Sequence, residues 1–261
     1  MKKVILILLF ITVGLFVIHL SPERGQELTR EIESETEETV EVEAKKTQNL
    51  TATSYKTGYI KTATAKLKKS KSSSSKTIKT LYLGQKVKYK KVSSKWAKVK
   101  KGNKVGYLLL SKISKKKQKY TTYKTPSSKI MSYMSYKAIT CKSSKQYKLQ
   151  QKAKTGKYGI RTVNSRYCIA LGSYYTTTIG TYVDIVLKNG SVIHCILADC
   201  KADRDTDSLN QKTPDGSLVE FIVDINKLPT MARRMGCISY CSEKWQSQIV
   251  KIKVYKKKYN I

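Results

Sequence analysis

No aspartate or glutamate occurs between Thr51 and Val183, a run of 133 residues that carries 33 lysines and arginines. A stretch with one sign of charge makes no internal ion pairs, so its counter-charges come from elsewhere in the chain or from a partner. The acids fall in two blocks, nine glutamates from Glu23 to Glu43 and nine carboxylates from Asp184 to Glu243. Histidine is as scarce: His19 lies in an apolar run and His194 is the other. The chain also lacks GxSxG, HExxH and any phosphate-cradling glycine loop, which excludes the serine-hydrolase, zincin and nucleotide-binding readings that rest on those motifs.

What is present is 261 residues at 40% hydrophobic content and a formal charge of +34, enough for two small cores. Such a charge usually points to nucleic acid. The first residues argue against it. Lys2 and Lys3 precede Val4 to Leu20, an apolar run interrupted only by Thr12, Gly14 and His19, long enough to approach the span of a hydrocarbon core. Residues 1–20 are expected to be a signal anchor with the lysines inside and the rest of the chain outside. A cleaved signal peptide is the competing expectation, although HLSPERG has no small-residue cleavage site. Either way the basic region faces the cell envelope. The expected partners are then anionic wall polymers and peptidoglycan, with no nucleic acid. Residues 21–50, rich in glutamate and poor in large apolar side chains, are expected to be an acidic disordered stalk.

The runs TLYLGQKVKYKKV, KWAKVKK and KVGYLLLSKI alternate apolar with basic residues and are punctuated by Gly84, Gly102-Asn103 and Gly106. That pattern predicts short antiparallel strands joined by tight turns, and a small all-β barrel over 51–115. Leu81, Gly84, Val87, Trp96-Ala97-Lys98-Val99 and Gly106-Tyr107 resemble the bacterial SH3 family of cell-wall proteins over 57–114. Its usual first-loop Gly-Pro is replaced here by Ser70-Lys71. Trp96 reads as core or as a half-buried platform. The resemblance makes Trp96, Tyr107 and Lys98 the candidate wall- and glycan-binding residues. Residues 116–130, with Pro126, are expected to be a linker.

The remainder, 131–261, holds all six cysteines and all nine late carboxylates. RYCIALG, TYVDIVLK, SVIHCILADC and SLVEFIVD read as strands, and a second, closed β-barrel is expected. Leu228 to Gly236 is expected to hold a short helix behind Pro229. Ala138 to Thr140, Lys154-Thr155-Gly156, IALG ending at Gly172, Ile179-Gly180-Thr181, ILAD ending at Asp199 and LVEFIVD occur in an order that resembles the double-psi barrels of wall-remodelling proteins, the group named for three aspartates, with expansins further away. The implied fold class is mainly β: an N-terminal transmembrane helix, a small SH3-like barrel and a six-stranded double-psi barrel. Of the three family acids, Asp199 matches the second and Glu220 the third. Residues 169–171 carry none, and the Gly-Gly after the second is Cys200-Lys201-Ala202.

Glu220 and Asp199 are therefore the candidate catalytic pair. Alternation in SLVEFIVD places Glu220 on a face with Leu218 and Ile222, where desolvation favours the protonated acid. The resemblance implies peptidoglycan glycan cleavage, by a lytic transglycosylase or a hydrolase; a non-catalytic wall-binding or scaffold protein is the alternative. Cys141, Cys168, Cys195, Cys200, Cys237 and Cys241 are disulfide candidates for an exported domain, reduced buried thiols being the other reading. Cys195 and Cys200 are expected on opposite faces of one strand. DRDTD (203–207) lacks the glycine and glutamate of an EF-hand, and no metal or cofactor is expected.

Overall fold

A computed structural model describes residues 54–261, and Ser54–Ile261 form one compact unit. The anchor expected over 1–20 and the stalk expected over 21–50 lie outside the described residues. Among the described residues no helix is long and apolar enough to cross a membrane.

The unit is mainly β and contains two sheets. The first comprises β1 (Lys56–Ile60), β2 (Thr64–Lys68), β3 (Thr77–Tyr82), β4 (Lys86–Lys91), β5 (Trp96–Lys101), β6 (Lys104–Leu109) and β7 (Ile113–Ser114), in the order β3-β2-β6-β5-β4-β1-β7. Alternation builds most of it. In β4 Val87 and Tyr89 turn inward while Lys86 and Lys88 stay exposed, and in β5 Ala97 and Val99 turn inward between Trp96, Lys98 and Lys100. The inward set, including Ile60, Leu67, Leu81, Val99 and Leu108, forms a separate small core. Each fully buried aliphatic side chain there contributes about 1.5–3 kcal/mol. Gly106 lets β6 cross close to β2, because a Cβ on it would stand 2.6 Å from the Lys68 carbonyl oxygen.

The second sheet contains β8 (Tyr120–Ser128), β9 (Met131–Ser135), β10 (Lys154–Thr155), β11 (Arg161–Val163), β12 (Arg166–Leu171), β13 (Thr181–Leu187), β14 (Val192–Cys200), β15 (Val219–Val223) and β16 (Ile249–Lys258). Its main path runs β10-β11-β12-β14-β13-β16-β8, with β15 on β12 and β9 on β15. The β12–β14 and β9–β15 pairs are parallel. Helix α1 (Lys145–Lys152) is capped by Ser144, whose side chain accepts from the Tyr147 N–H, and α2 (Thr230–Arg234) follows Pro229. The stretch expected as a linker is mostly sheet: Tyr120–Ser128 pairs along β16 as an edge strand. Pro126 falls where that register shifts, so its missing N–H breaks no regular ladder.

The two sheets are joined by buried polar contacts. Ala63 and Leu83, beside β2 and β3, pack into the core of the second sheet. Arg166, fully buried, donates from Nε to the Ala63 carbonyl at 3.3 Å and from Nη1 to Asp184 Oδ1 at 3.1 Å. The Tyr255 hydroxyl lies 3.0 Å from the Leu83 carbonyl and 2.8 Å from Asp184 Oδ2. Gly84, at φ +79°, lies beneath the Tyr255 ring, where a side chain would collide with it.

Candidate carboxylate site

β14 pairs with β12 in register up to Ile169 opposite Leu197, then slips so that Ala170 faces Asp199. Ala198 is the extra residue of this bulge. Without it, alternation would set Ala198 beside Ala170 and turn Asp199 to the other face. On its other side Ala170 pairs with Glu220 of β15, and Glu220 pairs with Ser132 of β9. One rung across four strands therefore reads Asp199, Ala170, Glu220, Ser132. Laterally paired residues project to the same face, so both candidate acids share a face, their Cα atoms about 10 Å apart at two strand spacings. The position between them, within the segment where the resemblance wants an aspartate, is the methyl of Ala170.

Glu220 is the one half-exposed residue of β15; Val219, Phe221, Ile222 and Val223 are all buried. Burial pushes its carboxyl upward from the ordinary value. The Lys201 ammonium opposes that shift, and the charges of Asp199 and Asp215 add to it. Asp199 is likewise pushed up by burial, against the hydrogen bond from the Cys200 N–H, at 2.9 Å, and the lowering influence of the Gln146 side chain of α1. Lys201 is buried, with Nζ donating to the Ser217 carbonyl at 2.7 Å. Burial pushes its ammonium downward and the charge of Glu220 holds it up. Ser132 and Ser217 share a hydroxyl contact of 2.7 Å beside this group. Two protonatable acids on one face, with an ammonium adjusting one of them, suit proton donation to a leaving oxygen.

Sequence reasoning missed Lys201, Ser132, Ser217 and Gln146. Only Lys201 left a trace, standing where the resemblance wants Gly-Gly. Pairing between distant strands places the others.

Trp96, Lys98 and Tyr107 lie in the other sheet. Trp96 and Lys98 share the outer face of β5, and Tyr107 pairs with Lys98. Trp96 is half-buried rather than core. None of the six cysteines is bonded to another. Cys168, Cys195, Cys237 and Cys241 are buried, and burial pushes Cys168 to about 12 and Cys241 to about 11. Cys195 and Cys200 share a face rather than opposing each other, because the bulge at Ala198 lies between them. His194 is committed to the sheet junction: Nδ1 donates to Asp184 Oδ1 at 2.7 Å, Nε2 is 3.3 Å from the Gln85 amide, and the ring stacks on Tyr82. Among the described residues no three histidine, cysteine or acidic side chains are grouped to hold an ion.

Comparison of the chain with protein-family models, with curated proteins and with solved structures gives no match.

Proposed function

We propose that the protein faces the bacterial cell envelope, held at the membrane by residues 1–20, and acts on peptidoglycan glycan. In this reading the first sheet is an SH3-type barrel that docks on wall polymers, and the second is a double-psi-type barrel that carries the chemistry. The Asp199–Ala170–Glu220 rung supports the assignment most, because it brings two distant acids to one face and burial favours protonation of both. Glu220 donates its proton to the glycosidic oxygen as the C–O bond breaks. A hydroxyl of the same sugar attacks the anomeric carbon, forming an anhydro ring, and returns its proton to Glu220. Asp199 tunes that proton or holds a sugar hydroxyl, and no cofactor is required.

A non-catalytic wall-binding protein is the second reading, favoured by the methyl of Ala170 where the family places an acid. Purified full-length protein incubated with sacculi decides between them. Release of anhydro-muropeptides by the wild type, abolished in Glu220→Gln, is the expected result. Equal release by both proteins removes Glu220 as the acid, and no release by either favours the binding reading.

A further inference from the structure

The outer face of the first sheet is a patterned surface rather than a diffuse positive one. Along β5 the outward residues are Trp96, Lys98 and Lys100. Pairing aligns Lys90, Lys98, Tyr107 and Lys68 in one rung across β4, β5, β6 and β2. That rung spans about 14 Å at ordinary strand spacing. One step along, Lys88 stands beside Lys100, and the Tyr55 ring lies 4.4 Å from Lys100 Nζ and 5.7 Å from Lys90 Nζ. At the other end of β5, half-buried Trp96 lines a groove of about 330 Å³ with Lys66, Lys68, Lys112, Ser73 and Leu109. Groove and lysine rung adjoin through Lys68 and Trp96. Among the described residues no carboxylate pairs with a lysine of this sheet.

The choice of cation narrows the partner. All 22 basic residues from Thr51 to Tyr120 are lysine and none is arginine. An arginine fork pairs bidentately with carboxylate and phosphate alike and fixes their orientation, whereas a lysine ammonium is a point charge with three donors that binds phosphate without fixing its orientation, which suits the repeated phosphates of a flexible chain. Trp96 and Tyr107 offer flat apolar faces to pyranose rings. We infer that this face is a binding track for a sugar-phosphate polymer, a linear chain whose repeat carries a pyranose ring and a phosphodiester. The lysines take the phosphates, and Trp96, in its groove, takes a ring. The inference relies on the envelope-facing reading only for where such a polymer is met.

The test is a titration of the full-length protein with poly(N-acetylglucosamine 1-phosphate), hyaluronate, polyphosphate and a single-stranded oligodeoxynucleotide, matched in charge and measured over a range of salt. The sugar-phosphate chain is expected to bind tightest. Lys98→Ser with Lys100→Ser is expected to lower the slope of log Kd against log salt by about two, one per lost contact. Trp96→Leu is expected to abolish the advantage over polyphosphate, Trp96→Phe to keep it, and neither to change polyphosphate binding. Tightest binding of hyaluronate or of the oligonucleotide would overturn the proposal, as would loss of polyphosphate affinity in both Trp96 variants. None of these titrations involves turnover, so their outcome is independent of the sacculus assay.

Discussion

Glu220 shows how the burial of a single acid sets the pH dependence of stability. Its folded carboxyl is raised above the unfolded one, so its contribution to stability is complete below the ordinary glutamate range of about 4.3 and is lost as pH rises through the folded value. Glu220→Gln removes that loss. The variant is expected to match the wild type in urea midpoint near pH 4 and to exceed it at neutral pH, while failing to release muropeptides. A variant that is less stable at pH 7 would show that the carboxylate is held by a partner rather than strained by burial. The direction follows from burial of the carboxyl, and Leu218 and Ile222, which the sequence pattern places on its face, are both buried.

At the scale of elements, two local irregularities place the two candidate faces. The extra residue Ala198 turns Asp199 towards Glu220, and no local rule in SVIHCILADC announces it, because a bulge is decided by what the neighbouring strands require. Gly106 is the second. It lets β6 lie against β2, and with that approach Tyr107 takes its place between Lys98 and Lys68. Gly106→Ala forces a methyl to within 2.6 Å of the Lys68 carbonyl, and Ile78 and Leu67 are also in the way. The expected cost is about 1–3 kcal/mol, seen as a lower denaturant midpoint with an unchanged slope. The alternating runs of both sheets were legible beforehand, since a period of two survives wherever one face is buried. The edge strand Tyr120–Ser128 was obscured by Pro126, which reads as a breaker unless a partner supplies a register shift to accommodate it.

At the scale of the molecule, the junction between the sheets is a buried network centred on Asp184. Burial pushes this carboxyl up, but the hydrogen bond and charge of His194, the Arg166 guanidinium and the Tyr255 hydroxyl outweigh it and leave it below its ordinary value. A depressed acid contributes stability that is present above its unfolded value and is lost as pH falls through the folded one. Asp184→Asn strands the Arg166 guanidinium in the interior and is expected to cost about 3–5 kcal/mol at neutral pH. The gap to the wild type should narrow below the aspartate range of about 3.9. Calorimetry checks both, and it should give one transition for residues of both sheets in the wild type. Two separate transitions would show that the network does not couple them.

The sequence by itself determined the sorting of charge, the β class, the inward and outward residues of most strands and the two carboxylates worth watching. These are local properties, carried by residue type and by a period of two. Only the tertiary structure decided that Asp199 and Glu220 share a rung, that Lys201 and Ser217 stand beside them, that His194 braces a junction, and that the lysines of β2, β4 and β5 align with Trp96 and Tyr107. Each depends on register between strands far apart in the chain, and register is set by packing, bulges and close approaches that no short segment contains.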